Sequence, residues 1–152
     1  MCDSSAVAIS KELSSNIVLL VLRLVVGVNM VCLHGWDKLQ HFSSRAGSYP
    51  DVFGIGHRYS LMVAVAGEFF GGLLLATGLF GRIGAFLVAL VVGMTLFSLL
   101  RGTSWHEREL WTLYFAGSLT VLILGCGRYS LDSLIGKKLG KASGKSSSPG
   151  KR

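Results

Sequence analysis

Four apolar runs, residues 17–33, 61–80, 83–100 and 110–126, dominate this 152-residue chain. Each is close to the roughly 20 residues that carry a helix, at about 1.5 Å per residue, across the hydrocarbon of a bilayer. Lipid offers no partners for backbone N–H and C=O groups, so runs of this length that enter it must be helical. Charged residues make up 15% of the chain, against about 25% in ordinary globular proteins, and mean hydropathy is +0.56. Twenty glycines and two prolines, with no period-three repeat, suit closely packed membrane helices and not a collagen-like chain. The expectation is an all-α, polytopic membrane protein built as a four-transmembrane-helix bundle. Residues 1–15 form a lead, 16–134 the membrane domain and 135–152 a basic, disordered tail.

The net charge of +7 does not point to nucleic acid. Six of the cations, Lys137, Lys138, Lys141, Lys145, Lys151 and Arg152, follow Asp132 with no acidic residue among them. Beside a membrane segment such a tail sets orientation and attracts anionic lipid. Four spans put both termini on one side, with nine cations there (Lys11, Arg82, Arg128 and the tail). The other side has five: Lys38, Arg45, Arg58, Arg101 and Arg108. The positive side faces the cytoplasm, so both termini are expected there. The lead lacks the basic start and cleavage site of a secretory signal. Cys2, Cys32 and Cys126 form no CxxC, which argues against a thioredoxin-like motif or a cysteine-only zinc site.

Two charges lie deep in the runs, Arg23 and Glu68. A charge at the centre of a membrane helix costs about 2.5–3.5 kcal/mol on insertion scales, so each needs a partner. At about 100° per residue, Arg23, Gly27, Met30, His34 and Asp37 fall within about 40° of one line, with Lys38 beside it. That stripe should face protein. If the first helix starts near Leu13, Arg23 lies about 15 Å deep; Glu68 lies about 18 Å from the end of its own helix near Phe80. Depth therefore pairs Arg23 with Glu68, with Lys38 and His34 as alternative partners nearer the far side. If Asn16 caps the first helix, Arg23 is only about 10 Å deep and the match is poorer.

Gly67-x3-Gly71, with Gly72 and Gly78, offers a small face for close helix crossing, inside one bundle or against a second copy in a homo-oligomer. Residues 81–84 (GRIG) predict a tight turn. The loop 40–60 carries Phe42, Tyr49, Phe53, Ile55 and Tyr59, and is expected to fold back over the bundle mouth. Trp36 and Trp105 suit interfacial anchoring.

Arg23, the HGWDK end of the first run, the AGEFFGGLLLATGLFGR segment and the closing SLD occur in the order found in the DoxX family, which the chain resembles from about residue 20 to 134. The resemblance implies a small four-helix bacterial protein of the inner (plasma) membrane. It carries over the first-helix arginine to Arg23, the HGxxK-like end to His34 and Lys38, and the second-helix glutamate to Glu68. The family takes its name from the small subunit of an archaeal thiosulfate:quinone oxidoreductase, and some members are linked to complexes that counter oxidative stress. The chain lacks the extra domain usual in DoxD-type subunits, which argues against direct thiosulfate chemistry.

Three functions compete. Arg23 and Glu68 form a purely structural pair in a membrane scaffold. Or Arg23, His34, Lys38 and Glu68, with Tyr114 and His106, serve a quinone-linked redox complex. Or the pair marks the path of a small-solute transporter or channel, although no repeats or broken helices support one. No flavin or nicotinamide motif is present, so the chain is expected to act as a non-catalytic or accessory subunit beside a redox partner. No cofactor is evident in the sequence, and quinone is the one that the polar groups of the bundle could take. Four scattered histidines, His34, His41, His57 and His106, do not predict a metal or haem site.

Overall fold

The computed structural model describes residues 4–99, 102 and 104–136. The basic tail from residue 137 lies outside the described residues, as does Arg101. The first rod is α1 (Ser4–Asn29), a wide π turn (Met30–Gly35) and α2 (Trp36–Gln40). The short α3 (Phe42–Arg45) follows. The second rod is α4 (His57–Val65), a second π turn (Ala66–Gly71) and α5 (Gly72–Thr77). The third is α6 (Gly81–Leu99) and the fourth α7 (Trp105–Leu124). Each rod packs on the next, and the fourth closes on the first. Among the described residues there is no strand.

Three helical segments, Lys11–Gln40, His57–Thr77 and Gly81–Ser98, are long and apolar enough to cross a membrane. No more than half of any of them is buried inside the protein. Their outward faces carry Val18, Val21, Val25, Phe70, Leu73, Phe86 and Leu90, all exposed, as lipid contact requires. The fourth rod has the length, but its first turns hold Glu107, Arg108 and Glu109, and its apolar part starts only at Leu110. The bundle interior is filled by Val26, Met30, Leu75, Val88, Val92, Tyr114 and Val121.

Glycine contacts set how close the rods come. A Cβ on Gly27 would stand 2.7 Å from the Ala76 nitrogen and the Gly72 oxygen, and one on Gly35 2.7 Å from the backbone of Phe69. These contacts fix the antiparallel register of the first two rods. Gly67 and Gly71 turn instead toward Leu87 on α6, and Gly84 lies against Gly71 and Leu75. The glycine face of the second rod is thus used within a single bundle, on two sides at once.

Three local expectations fail. Asn16 is no cap, because α1 already begins at Ser4; its side-chain oxygen accepts the Arg128 N–H at 2.8 Å. The turn between the second and third rods is residues 78–80, not 81–84, since Gly78 takes the left-handed φ of +69° that ends α5. Arg23 does not pair with Glu68. It is buried beside Gly78, donating from Nη1 to the Cys126 carbonyl at 3.3 Å and from Nη2 to the Tyr129 carbonyl. The ten-residue separation of Glu68 and Gly78 puts about 15 Å of helix between the two charges. Depth does not pair them because α1 starts at Ser4 rather than near Leu13 and the second rod ends at Thr77 rather than near Phe80.

The segment after α7 forms a hook under the near end of the bundle. Its Asp132 accepts the Phe80 N–H at 2.9 Å and the Gly81 N–H at 3.2 Å, capping α6 from 51 residues away. Asp132→Ala is expected to cost about 1–2 kcal/mol in chemical denaturation of the purified protein. Asp132→Asn, which keeps one acceptor, should recover about half.

Candidate functional site

At the opposite end, Lys38 and Glu68 meet. Lys38 Nζ lies 2.5 Å from both carboxylate oxygens. Glu68 is almost wholly enclosed at 1% side-chain exposure, and Lys38 is 13% exposed. Two features of the helices bring them together. Side chains lean toward the N-terminus of their own helix. Once the Gly35–Phe69 contact has set the register, Lys38 on α2 leans down and Glu68 on the antiparallel rod leans up.

The π turns supply the second feature. Each takes one extra residue into its turn, setting later side chains back by about one position, or about 100°. After the turn at Met30–Gly35, Lys38 faces inward where an unbroken α-helix would favour Asp37. Asp37 is left half exposed, held by Arg45 at 2.6 Å and His41 at 3.1 Å. Glu68 sits inside the other π turn, packed against the first. Neither turn is legible in the sequence, since one extra residue in a helical turn leaves the hydropathy of the run unchanged.

His34 lies one turn below Lys38. Its ring meets Trp111 at 4.9 Å and the edge of Tyr114 at 5.6 Å, both from α7. Its Nε2 is buried with no hydrogen-bond partner. Of the four candidates, His34, Lys38 and Glu68 therefore form one cluster, and Arg23 lies apart in the hook. Trp111 was not singled out in the sequence; its place three residues before Tyr114, on one helix face, was the available signal.

The loop 46–56 roofs this end. Asp51 accepts hydrogen bonds from the Ser60 hydroxyl at 2.5 Å, the Gly56 N–H at 2.9 Å and the Ile55 N–H at 3.0 Å. The Ser60 bond does most to hold its carboxyl below the usual carboxylate range. His57 Nδ1 bonds the Tyr49 carbonyl at 2.6 Å. The Tyr49 phenol is pushed up to about 12, first by burial and then by the negative charge of Glu68. The fold-back over the mouth is thus present, with the Tyr49 phenol within electrostatic reach of Glu68. His41 and His106 are exposed, and among the described residues no three metal-type side chains come together.

A phenol raised in the folded state alone destabilises the fold between the unfolded and folded pKa, where only the unfolded chain ionises. Stability should therefore fall as pH rises from about 10 to about 12. Tyrosinate absorbance should show Tyr49 titrating near 12, a component missing in Tyr49→Phe. In Glu68→Gln its midpoint should come down. An unchanged midpoint would mean that Glu68 does not act on it.

What this cluster offers chemically is a buried ion pair and, beside it, an unsatisfied imidazole nitrogen walled by two aromatic rings. A family model, DoxX, matches residues 18–101, which include the whole of the His34–Lys38–Glu68 cluster. No curated protein and no solved structure matches the chain.

Proposed function

The chain belongs to the DoxX family of membrane proteins, and from that premise we propose that it is the accessory, quinone-facing membrane subunit of a redox complex. In this proposal it lies in the plasma membrane with both termini cytoplasmic, and α7 makes the fourth crossing. A partner subunit brings the electrons of an oxidative-stress or sulfur-linked donor. The observation that carries the proposal is His34 Nε2. A buried polar atom with no partner is rare and costs about 1–3 kcal/mol, so it reads as a place kept for a ligand.

The residues present fit a quinone headgroup. Trp111 and Tyr114 give aromatic surface for a planar ring, and His34 Nε2 gives one hydrogen bond to a carbonyl oxygen. Bound there, quinone would supply two-electron redox chemistry. The Lys38–Glu68 pair keeps a positive and a negative group beside the imidazole without net charge, and Tyr49 covers it.

The test is quenching of Trp111 fluorescence by a short-chain ubiquinone in purified protein, together with quinone-dependent electron flow in membrane vesicles. His34→Phe is expected to weaken quenching at least tenfold at unchanged membrane abundance, and Trp111→Phe to remove the quenched component. Quenching equal in His34→Phe and wild type would refute the site. A second function, a purely structural clasp, is favoured by the engagement of both Glu68 oxygens by Lys38. It predicts that Glu68→Gln lowers abundance with no loss of electron flow per molecule.

A further inference from the structure

We infer a second site, for the headgroup of an amine-bearing phospholipid, in the cleft between the start of α6 and the hook. The cleft encloses about 410 Å³ and is lined by Phe80, Arg82, Ile83, Leu124, Cys126 and Asp132 among others. It lies at the near end of the bundle, away from the His34 cluster, and owes nothing to the redox proposal.

Its position suits a lipid. The third membrane-length segment begins at Gly81, so Arg82 stands at headgroup level. Phe80, Ile83 and Leu124 are all exposed and continue the lipid-facing surface from the rim of the cleft. Acyl chains lying on those residues would bring their own phosphate to Arg82.

Its charges select the headgroup. Arg82 lies against Gly125, its Nη2 3.5 Å from where a Cβ would stand, an ordinary contact distance. Among the described residues Arg82 has no ion-pair or hydrogen-bond partner, unlike Arg23 and Arg45. Guanidinium groups bind phosphate oxygens in pairs. Asp132 forms another part of the same wall. Its oxygens cap α6, which satisfies hydrogen bonds without removing the negative charge. A wall with one free cation and one anion matches a phosphate and an ammonium on the same headgroup. A headgroup of net negative charge would bring a phosphate for Arg82 but no cation for Asp132, whose charge is otherwise shared with Arg23. Ethanolamine phospholipid satisfies both ends.

The experiment is native mass spectrometry of the full chain in detergent, with thermal unfolding as a second readout, against added phosphatidylethanolamine, phosphatidylglycerol or inorganic phosphate. Phosphatidylethanolamine should be retained as a one-to-one adduct at least fivefold more than phosphatidylglycerol, and should raise the melting temperature. Arg82→Gln should abolish the adduct while melting like wild type in lipid-free detergent, because its side chain makes no contact that the fold needs. Arg82→Lys should keep part of it. Equal retention of the two lipids, retention by Arg82→Gln, or the same stabilisation by inorganic phosphate would each overturn the site.

Discussion

Lys38→Met should lower the unfolding free energy by about 3–5 kcal/mol, the cost of leaving a buried charge without its partner. Glu68 at 1% exposure has no route to water, and the bond that replaces Lys38 must come from elsewhere. Glu68→Gln should cost clearly less. Lys38 is 13% exposed at the end of its rod, and its four-carbon stem can carry the ammonium to the interface. The double variant Lys38→Met/Glu68→Gln should recover most of the loss, because a buried pair replaced as a unit is often close to neutral. Denaturation of the three purified variants in one detergent measures this. A Lys38→Met protein as stable as Glu68→Gln, or a double variant no better than Lys38→Met, would remove the pair from the centre of the fold.

The second large effect belongs to the glycines of the first rod. Gly27→Ala and Gly35→Ala each place a methyl 2.7 Å from backbone atoms of the second rod. Backbone cannot swing aside as a side chain can, so the rods must part, at a cost at or above the top of the usual 1–3 kcal/mol for overpacking. Parting them also pulls Lys38 from Glu68, so Gly35→Ala should fall hardest in membrane abundance. Gly47→Ala and Gly102→Ala, where a Cβ meets nothing within 4 Å, should remain at wild-type levels. Abundance of a fluorescent fusion separates the two classes. If Gly35→Ala matches Gly47→Ala, the glycine register does not govern assembly of the bundle.

Much of the architecture was legible from local chemistry. Runs of 17 to 20 apolar residues declare helices of membrane length, and a lone carboxylate in one of them declares a buried partner. Gly67-x3-Gly71 correctly promised close packing, and the neighbour it meets inside the bundle is α6. The roof over the mouth was visible in the aromatic residues of a loop too apolar to float free. The SLD motif was visible as a pattern, but its capping role across 51 residues was not.

Partner choice was another matter. Arg23 and Glu68 have compatible depths only if the first helix starts near Leu13 and the second ends near Phe80, and here α1 runs on to Ser4 and the second rod stops at Thr77. Composition along the chain determined that this protein is helical, membrane-suited and charged inside, because those properties follow from transfer energies and backbone hydrogen bonding residue by residue. Which charge meets which was decided only by the tertiary structure. Register depends on backbone contact at Gly27 and Gly35, and facing depends on one extra residue in each π turn. Lys38, and not Asp37, reaches Glu68 because a shift of one residue turns a helix by about 100° while leaving its hydropathy unchanged.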